Sequence, residues 1–188
     1  SSDVCSSDLG GLTVPAVLGN NPNIEIVDLY FDLDGTFPNH EANPLEPKNL
    51  VDLQRKVLEV GADLGLAFDG DADRCFVVDE KGYAVSPSSI AAIVSRREIA
   101  RVRNLGEKNI VILHNLLTSK FVSEEIERNG AKAVKTKVGH SLIKDKMAET
   151  GAVFGGEHSA HYYFRDFWGA DNGMLAAMHV ISEFGLGQ

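Results

Sequence analysis

Apolar and polar positions change period repeatedly along the chain, and each change marks an element. Leu12 to Leu18 is an apolar stretch broken by Pro15, which predicts a short helix opening at Pro15 and closed by Gly19. Ile26, Val27, Leu29, Tyr30 and Phe31 predict a strand over 25–33, followed by a loop over 34–47 that holds three prolines and two asparagines. Leu50, Leu53, Val57 and Val60 recur at helical spacing between Pro47 and Gly61, which predicts a helix over 48–60. A short apolar strand, 64–68, runs into an acidic loop, 69–73, and a hairpin over 75–86 turns at Glu80, Lys81 and Gly82. Beyond Pro87 the pattern is helix 88–103 capped by Ser88 or Ser89, strand 110–113, helix 118–128, strand 133–136, helix 141–149 and strand 152–155. A polar and aromatic loop then runs through Trp168 to a last helix, 172–184.

Strands alternating with helices predict α/β architecture: two consecutive three-layer domains with mainly parallel, mixed sheets, divided near Pro87. No repeat is visible residue by residue, although both halves share the same βα rhythm. The first ten residues, SSDVCSSDLG, hold four Ser and two Asp without any period. They read as a frayed or non-native leader, so domains are expected over 11–87 and 88–188, the first lacking its initial strand.

Composition narrows the function. Eighteen Lys and Arg against 27 Asp and Glu give a net charge of −9, which argues against general nucleic-acid binding because no face neutralises phosphate along its length. No apolar run reaches the ~18 residues of a membrane span and no signal-peptide pattern opens the chain. Two cysteines, Cys5 and Cys75, cannot make a disulfide framework, so a cytoplasmic setting is expected.

The strongest local chemistry is Asp69-Gly70-Asp71-Ala72-Asp73-Arg74 at the end of a strand. In extended backbone, alternate side chains share a face, so Asp69, Asp71 and Asp73 are expected to converge as hard oxygen donors suited to Mg²⁺. An EF-hand also begins D-x-D-x-D, but here a strand follows where that loop would continue, and flanking helices are missing. An acidic turn that only caps the strand is the plainer alternative. In Gly155-Gly156-Glu157-His158-Ser159-Ala160-His161, the same alternation sets Glu157, Ser159 and His161 on one side, a good set for hydroxyl groups or a polar strand edge. Lys135 to Ser141 lies at a strand-to-helix junction, and five of the ten lysines fall between Lys132 and Lys146, which fits either a phosphate site or a solvated helix face. Asp32-Leu33-Asp34-Gly35-Thr36 looks like the nucleophile loop of haloacid-dehalogenase-type phosphatases, with Asp32 attacking phosphorus; the acidic loop at 69–73 follows too soon, without a cap-sized core between.

Together these loops resemble the α-D-phosphohexomutases, the phosphomannomutases and phosphoglucomutases, from about Gly11 to the C-terminus. DGDADR (69–74) is similar to the family's metal loop, VGHSLIK (138–144) to the stretch entering its third domain's substrate site, and GEHSAH (156–161) to its sugar-recognition loop. DGTFPNHEANPLEP (34–47) is similar to a segment the family carries before the metal loop, which makes the dehalogenase match a coincidence of DGT. Ala160 departs from the commoner GExSGH. The resemblance implies an isomerase and phosphoprotein of carbohydrate metabolism. A phosphoserine exchanges its phosphoryl group with hexose 1-phosphate or 6-phosphate through a bisphosphorylated sugar. It implies Mg²⁺ on Asp69, Asp71 and Asp73, and phosphate contact by Arg74. It further implies substrate contact by Gly139, His140, Glu157, Ser159 and His161, with His140 or His161 in proton transfer. The phosphoserine loop of the family's first domain and the phosphate-clamping loop of its fourth are not found. The chain therefore looks like the two central domains cut at both ends, inactive alone and a partner of the missing first and fourth domains. A phosphatase using Asp32 and a non-catalytic sugar-phosphate-binding fragment stay open as alternatives.

Overall fold

The computed structural model describes residues 2–6, 10–31 and 43–186. The chain forms two compact units, Ser1–Val85 and Ser86–Gln188. The first runs β1 (Ser2–Ser6), α1 (Gly10–Leu18), β2 (Glu25–Leu29), a 3-10 turn (Pro47–Leu50), α2 (Val51–Val60), β3 (Leu64–Phe68), β4 (Cys75–Asp79) and β5 (Ala84–Val85). Its sheet has the order β2-β1-β3-β4-β5. β1 is parallel to both neighbours, with Val4 opposite Val27 on one side and Gly65 on the other, while β4 and β5 are antiparallel.

This corrects the frayed reading of residues 2–6 and the missing initial strand; residues 1 and 7–9 lie outside the described residues. Ser2–Ser6 is a central strand of the first sheet. Only Val4 and Cys5 are apolar in SDVCS, too few to show a period. A parallel neighbour on each side satisfies the backbone groups, and that pairing holds the strand where composition does not announce it. α2 lays Leu53 and Val57, 1% and 0% exposed, against the sheet. A Cβ on Gly65 would stand 2.7 Å from Val57 Cγ2, so glycine lets the helix approach. Burying each of these two side chains contributes about 1.5–3 kcal/mol. Gly61, at φ 64°, closes the helix in the left-handed conformation.

The second unit opens with α3 (Pro87–Asn104) and continues β6 (Val111–Asn115), α4 (Lys120–Arg128), β7 (Lys132–Thr136), α5 (His140–Thr150), β8 (Phe154–Gly156), β9 (Tyr162–Phe164), β10 (Ala170–Asp171) and α6 (Gly173–Leu186). The sheet order is β10-β9-β8-β6-β7, with β7, β6 and β8 parallel and β9 and β10 antiparallel. Taken in chain order, both sheets use the sequence second, first, third, fourth, fifth. Right-handed crossovers put the helices that follow the first and second strands on opposite faces, giving three layers in each unit. In the second unit α3 packs on α4, α6 and β8. On the other face Ile143 and Met147 of α5 pack with Leu113, Ala152 and Tyr163.

Two further readings change. The cap of α3 is Ser86, whose hydroxyl accepts from the Ser88 N–H, with Pro87 at the first helical position where no N–H is needed. The stretch read as a loop through Trp168 contains β9, and β10 lies just beyond it. Tyr162 and Tyr163 are 0% exposed and Phe164 4%, so both faces of β9 are covered and no alternation survives to signal a strand. Among the described residues no helix is long and apolar enough to cross a membrane.

Candidate functional site

The sequence-selected loops lie at the carboxyl ends of the parallel strands, the edge where open α/β sheets bind ligands. In the first unit β3 delivers Asp69 there. One carboxylate oxygen from each of Asp69, Asp71 and Asp73 lies within 4.8 Å of the others. The convergence does not come from extended backbone, as the alternation suggested. Ala72 N–H bonds the Asp69 carbonyl at 3.1 Å, Ala72 sits at φ 58°, and the chain turns back on itself before β4. Asp69 is 4% exposed and Asp71 exposed. Both Asp69 oxygens accept from Arg74, Oδ1 from the backbone N–H at 3.0 Å and Oδ2 from Nε at 2.5 Å. Arg74 Nε also lies 3.9 Å from Asp73 Oδ1. Three hard oxygen donors in this reach fit a small divalent cation such as Mg²⁺, and a cation there relieves the repulsion among carboxylates that Arg74 offsets in part.

In the second unit Glu157 follows β8. It is 2% exposed rather than presented outward. Asn115 Nδ2 donates to its Oε1 at 3.2 Å, Gly139 N–H points at the same oxygen from 3.5 Å, and Tyr163 Oη donates to Oε2 at 3.1 Å. The carboxylate thus ties together the ends of β6 and β8, the start of α5, and β9. Ser159 Oγ lies 3.0 Å from His161 Nδ1, and His161 Nε2 lies 4.0 Å from Asp171 Oδ2. Here too a turn replaces the expected extended alternation: Ala160 N–H bonds the Glu157 carbonyl at 3.2 Å and Ala160 stands at φ 67°. The residue exposed at the tip is His158, which the sequence reading passed over.

Gly139 caps α5 at φ 136°, and His140 is the first residue of that helix. The Gly139 amide already faces an anion, the Glu157 carboxylate. Lys144, one helical turn on, lies 3.4 Å from Asp171 Oδ1 and 5.8 Å from the centre of the Tyr163 ring. Asn115, Tyr163 and Asp171 therefore join the polar cluster without having been singled out, since each sat alone in the sequence and only strand order brings them together; Lys144, the last residue of the VGHSLIK stretch, joins them through Asp171. Asp32, the alternative nucleophile, lies outside the described residues.

Comparison with known proteins decides the kinship. Residues 5–82 match the family model for phosphoglucomutase/phosphomannomutase alpha/beta/alpha domain II, and residues 86–185 match that for domain III. The chain belongs to the phosphoglucomutase/phosphomannomutase family. It is 36% identical over 178 residues to a phosphomannomutase/phosphoglucomutase of Pseudomonas putida, covering 94% of this chain and 37% of the relative. It is 40% identical over 152 residues to an Escherichia coli phosphomannomutase, covering 81% of this chain and 32% of the relative. A crystal structure of a family protein from Burkholderia thailandensis superposes with a TM-score of 0.83 at 31% identity, over 94% of this chain and 38% of that one. The chain thus spans between 32% and 38% of the length of these α-D-phosphohexomutases.

Within this phosphohexomutase-family chain the two loops are counterparts. Each joins the third and fourth strands of its sheet, begins with a buried acid, and carries a left-handed alanine three residues later. Asp69 corresponds to Glu157, Asp71 to Ser159, Ala72 to Ala160 and Asp73 to His161. The correspondence was hidden in the sequence because only the alanine and its turn geometry repeat; the reactive side chains differ.

Proposed function

We propose that this chain supplies the metal loop and the sugar-recognition loop of a phosphohexomutase that interconverts hexose 1-phosphate and hexose 6-phosphate through a phosphoserine and a bisphosphorylated sugar. The observation that carries the reading is the convergence of Asp69, Asp71 and Asp73 in a chain that matches both family domains. Those three carboxylates would hold Mg²⁺, which when bound neutralises negative charge on a transferring phosphoryl group. Arg74, its Nε anchored by Asp69, reaches phosphate oxygens through its remaining guanidinium N–H groups. Glu157 accepts a sugar hydroxyl on a carboxylate held still by Asn115 and Tyr163. Ser159 and His161, already bonded to each other, share hydroxyl recognition. A neutral imidazole of His161 takes or gives a proton, with Ser159 fixing its ring, and His140 is the second candidate for that role. Gly139 contributes its backbone at the same edge.

No residue of the chain is assigned the phosphoryl-carrying role. We therefore expect the chain alone to bind hexose phosphate without converting it, even with Mg²⁺ and a bisphosphorylated primer. The test is calorimetric titration with Mg²⁺ and with glucose 6-phosphate. Asp71→Asn should weaken Mg²⁺ binding tenfold or more and leave the metal-free melting temperature unchanged, because Asp71 is exposed. Wild-type Mg²⁺ affinity in that variant would overturn the metal assignment, and turnover of glucose 1-phosphate by the purified chain would reveal a nucleophile elsewhere.

A further inference from the structure

We infer that His114 and Thr118 are positioning residues for Glu157, acting through Asn115: the Nδ1–H tautomer of His114 holds the Thr118 hydroxyl, and with it the turn that aims the Asn115 carboxamide at Glu157. The inference rests on the sugar-phosphate reading for what Glu157 binds, and it adds two residues to which that reading gives no part. His114 and Asn115 are the last two residues of β6, 4% and 1% exposed. Side chains of consecutive strand residues face opposite sides of a sheet. The Asn115 carboxamide meets Glu157 on one side, so the His114 ring lies on the other.

The turn after β6 joins the two sides. Thr118 Oγ1 lies 2.7 Å from the Asn115 carbonyl oxygen and 2.9 Å from His114 Nδ1. Two oxygens at 2.7 Å need a proton between them, and a carbonyl has none to give, so the single hydroxyl proton of Thr118 goes to Asn115. The contact with His114 must then take its proton from the ring, which places the hydrogen on Nδ1. Burial, and after it the ammonium of Lys135, the register partner on β7, push the His114 pKa down against the opposing pull of the Asn115 backbone and the Glu127 carboxylate of α4, so the ring is neutral at pH 8. The carboxamide is equally determined. Asn115 Oδ1 accepts the backbone N–H groups of Leu117 at 3.1 Å and Thr118 at 3.0 Å, which leaves Nδ2 to donate to Glu157 Oε1. Thr118 thus holds Asn115 by its carbonyl and by its side chain, and His114 holds Thr118. Without the ring donor the hydroxyl is free to rotate, the turn loosens, and the carboxamide can leave the buried carboxylate.

Nitrogen-15 long-range spectra at pH 8 test the tautomer, with His114 assigned among the six histidines by its loss in His114→Asn. The wild-type chain should show His114 as one neutral tautomer, protonated on Nδ1. Thr118→Val, which keeps the shape and removes the hydroxyl, should mix the two tautomers, and Thr118→Ser should restore one. The Asn115 Nδ2 protons report the far end: Glu157→Gln marks where they resonate once the carboxylate is gone, and Thr118→Val should move them that way. Asparagine places an amide N–H where Nδ1 stands, and glutamine places one where Nε2 stands. His114→Gln and Thr118→Val should therefore weaken glucose 6-phosphate binding about threefold to tenfold, the scale of one neutral hydrogen bond, and His114→Asn and Thr118→Ser should recover most of that loss. A merely space-filling role for His114 would not separate asparagine from glutamine in this way. A wild-type His114 protonated on Nε2 overturns the inference, even if Thr118→Val does not fold. So do unmoved Asn115 Nδ2 signals in Thr118→Val, or wild-type affinity in His114→Gln while Glu157→Gln weakens binding. The expected tautomer and Asn115 shifts in a chain that binds no hexose phosphate would leave the relay standing and overturn the sugar-phosphate reading alone.

Discussion

Ala72 and Ala160 stand at φ 58° and 67°, where a Cβ crowds the following carbonyl at a cost of roughly 1–2 kcal/mol. Replacing either by glycine removes that strain but returns about 0.4–1 kcal/mol of unfolded-state freedom. For half-buried Ala72 the balance favours glycine, so Ala72→Gly should raise the unfolding free energy of the first unit, read from urea curves, by about 0.5–1 kcal/mol. Ala160 is 0% exposed, and losing its methyl group forfeits about 0.8 kcal/mol more, so Ala160→Gly should be close to neutral. Arg74 offers the sharper residue-scale test. Its side chain is 18% exposed and that of its partner Asp69 5%. Arg74→Met leaves a nearly buried carboxylate uncompensated and should cost about 3 kcal/mol in metal-free urea unfolding; a loss below about 1 kcal/mol would mean that water screens Asp69. Residue identity at both loops was legible in the sequence, since acids, serine and histidine in short spacing announce chemistry. Their geometry was not, because a left-handed alanine carries no compositional mark.

Elements differ in how openly they declare themselves. α2 and α4 follow their apolar spacing and end where Gly61 and Asn129 predict. β1 and β9 escaped, one because it is short and polar, the other because it is buried on both faces and reads as an aromatic run. β1 makes a direct prediction: deleting residues 1–9 strips β2 of its only neighbour among the described residues and β3 of one of its two, so the first unit should lose its sheet while the second persists. Hydrogen exchange resolved by unit would show it, and retained protection in β2 would contradict the register. The second unit has its own pH signature. Glu98 of α3 is 2% exposed. It accepts from Arg101 Nε at 2.8 Å and Nη2 at 2.7 Å, and lies 3.2 Å from Nε2 of His179 on α6. Burial pushes its carboxyl upward, but the hydrogen bonds from His179 and Arg101 outweigh burial and bring it to about 2, from an ordinary 4.5. A depressed carboxyl contributes stability that is complete above the unfolded value and fades as pH falls from about 4.5 toward 2. That contribution is on the order of 3 kcal/mol. The second unit of Glu98→Gln should therefore be less stable than wild type at pH 7, with a difference that shrinks at pH 3; parallel urea curves at both pH values would refute the pairing.

At the scale of the whole molecule the two units repeat one strand order and vary one turn. The rhythm of strands and helices made the α/β class readable, because helical and extended periods alternate cleanly from residue 48 onward. The shared order was not readable: it depends on which strands pair, and pairing between β1 and β3 or between β6 and β8 links residues far apart in sequence. Each unit has its own buried core, so residues 86–188 expressed alone should unfold cooperatively by circular dichroism. A broad, non-cooperative melt of that piece would show that its core is completed by residues outside it.

The central place of β1 bears on how the protein is made. Its partners β2 and β3 lie later in the chain, so during synthesis β1 leaves the ribosome with neither side paired. At about 5–20 residues per second, several seconds pass before β3 is available. An exposed apolar strand waiting that long would be open to edge-to-edge association with other nascent chains. Ser, Asp and Ser in SDVCS keep the waiting segment wettable, and the backbone pairing to a parallel neighbour on each side then holds it in the sheet. The polarity that hid this strand from the sequence reading thus also protects the nascent chain until its sheet can close.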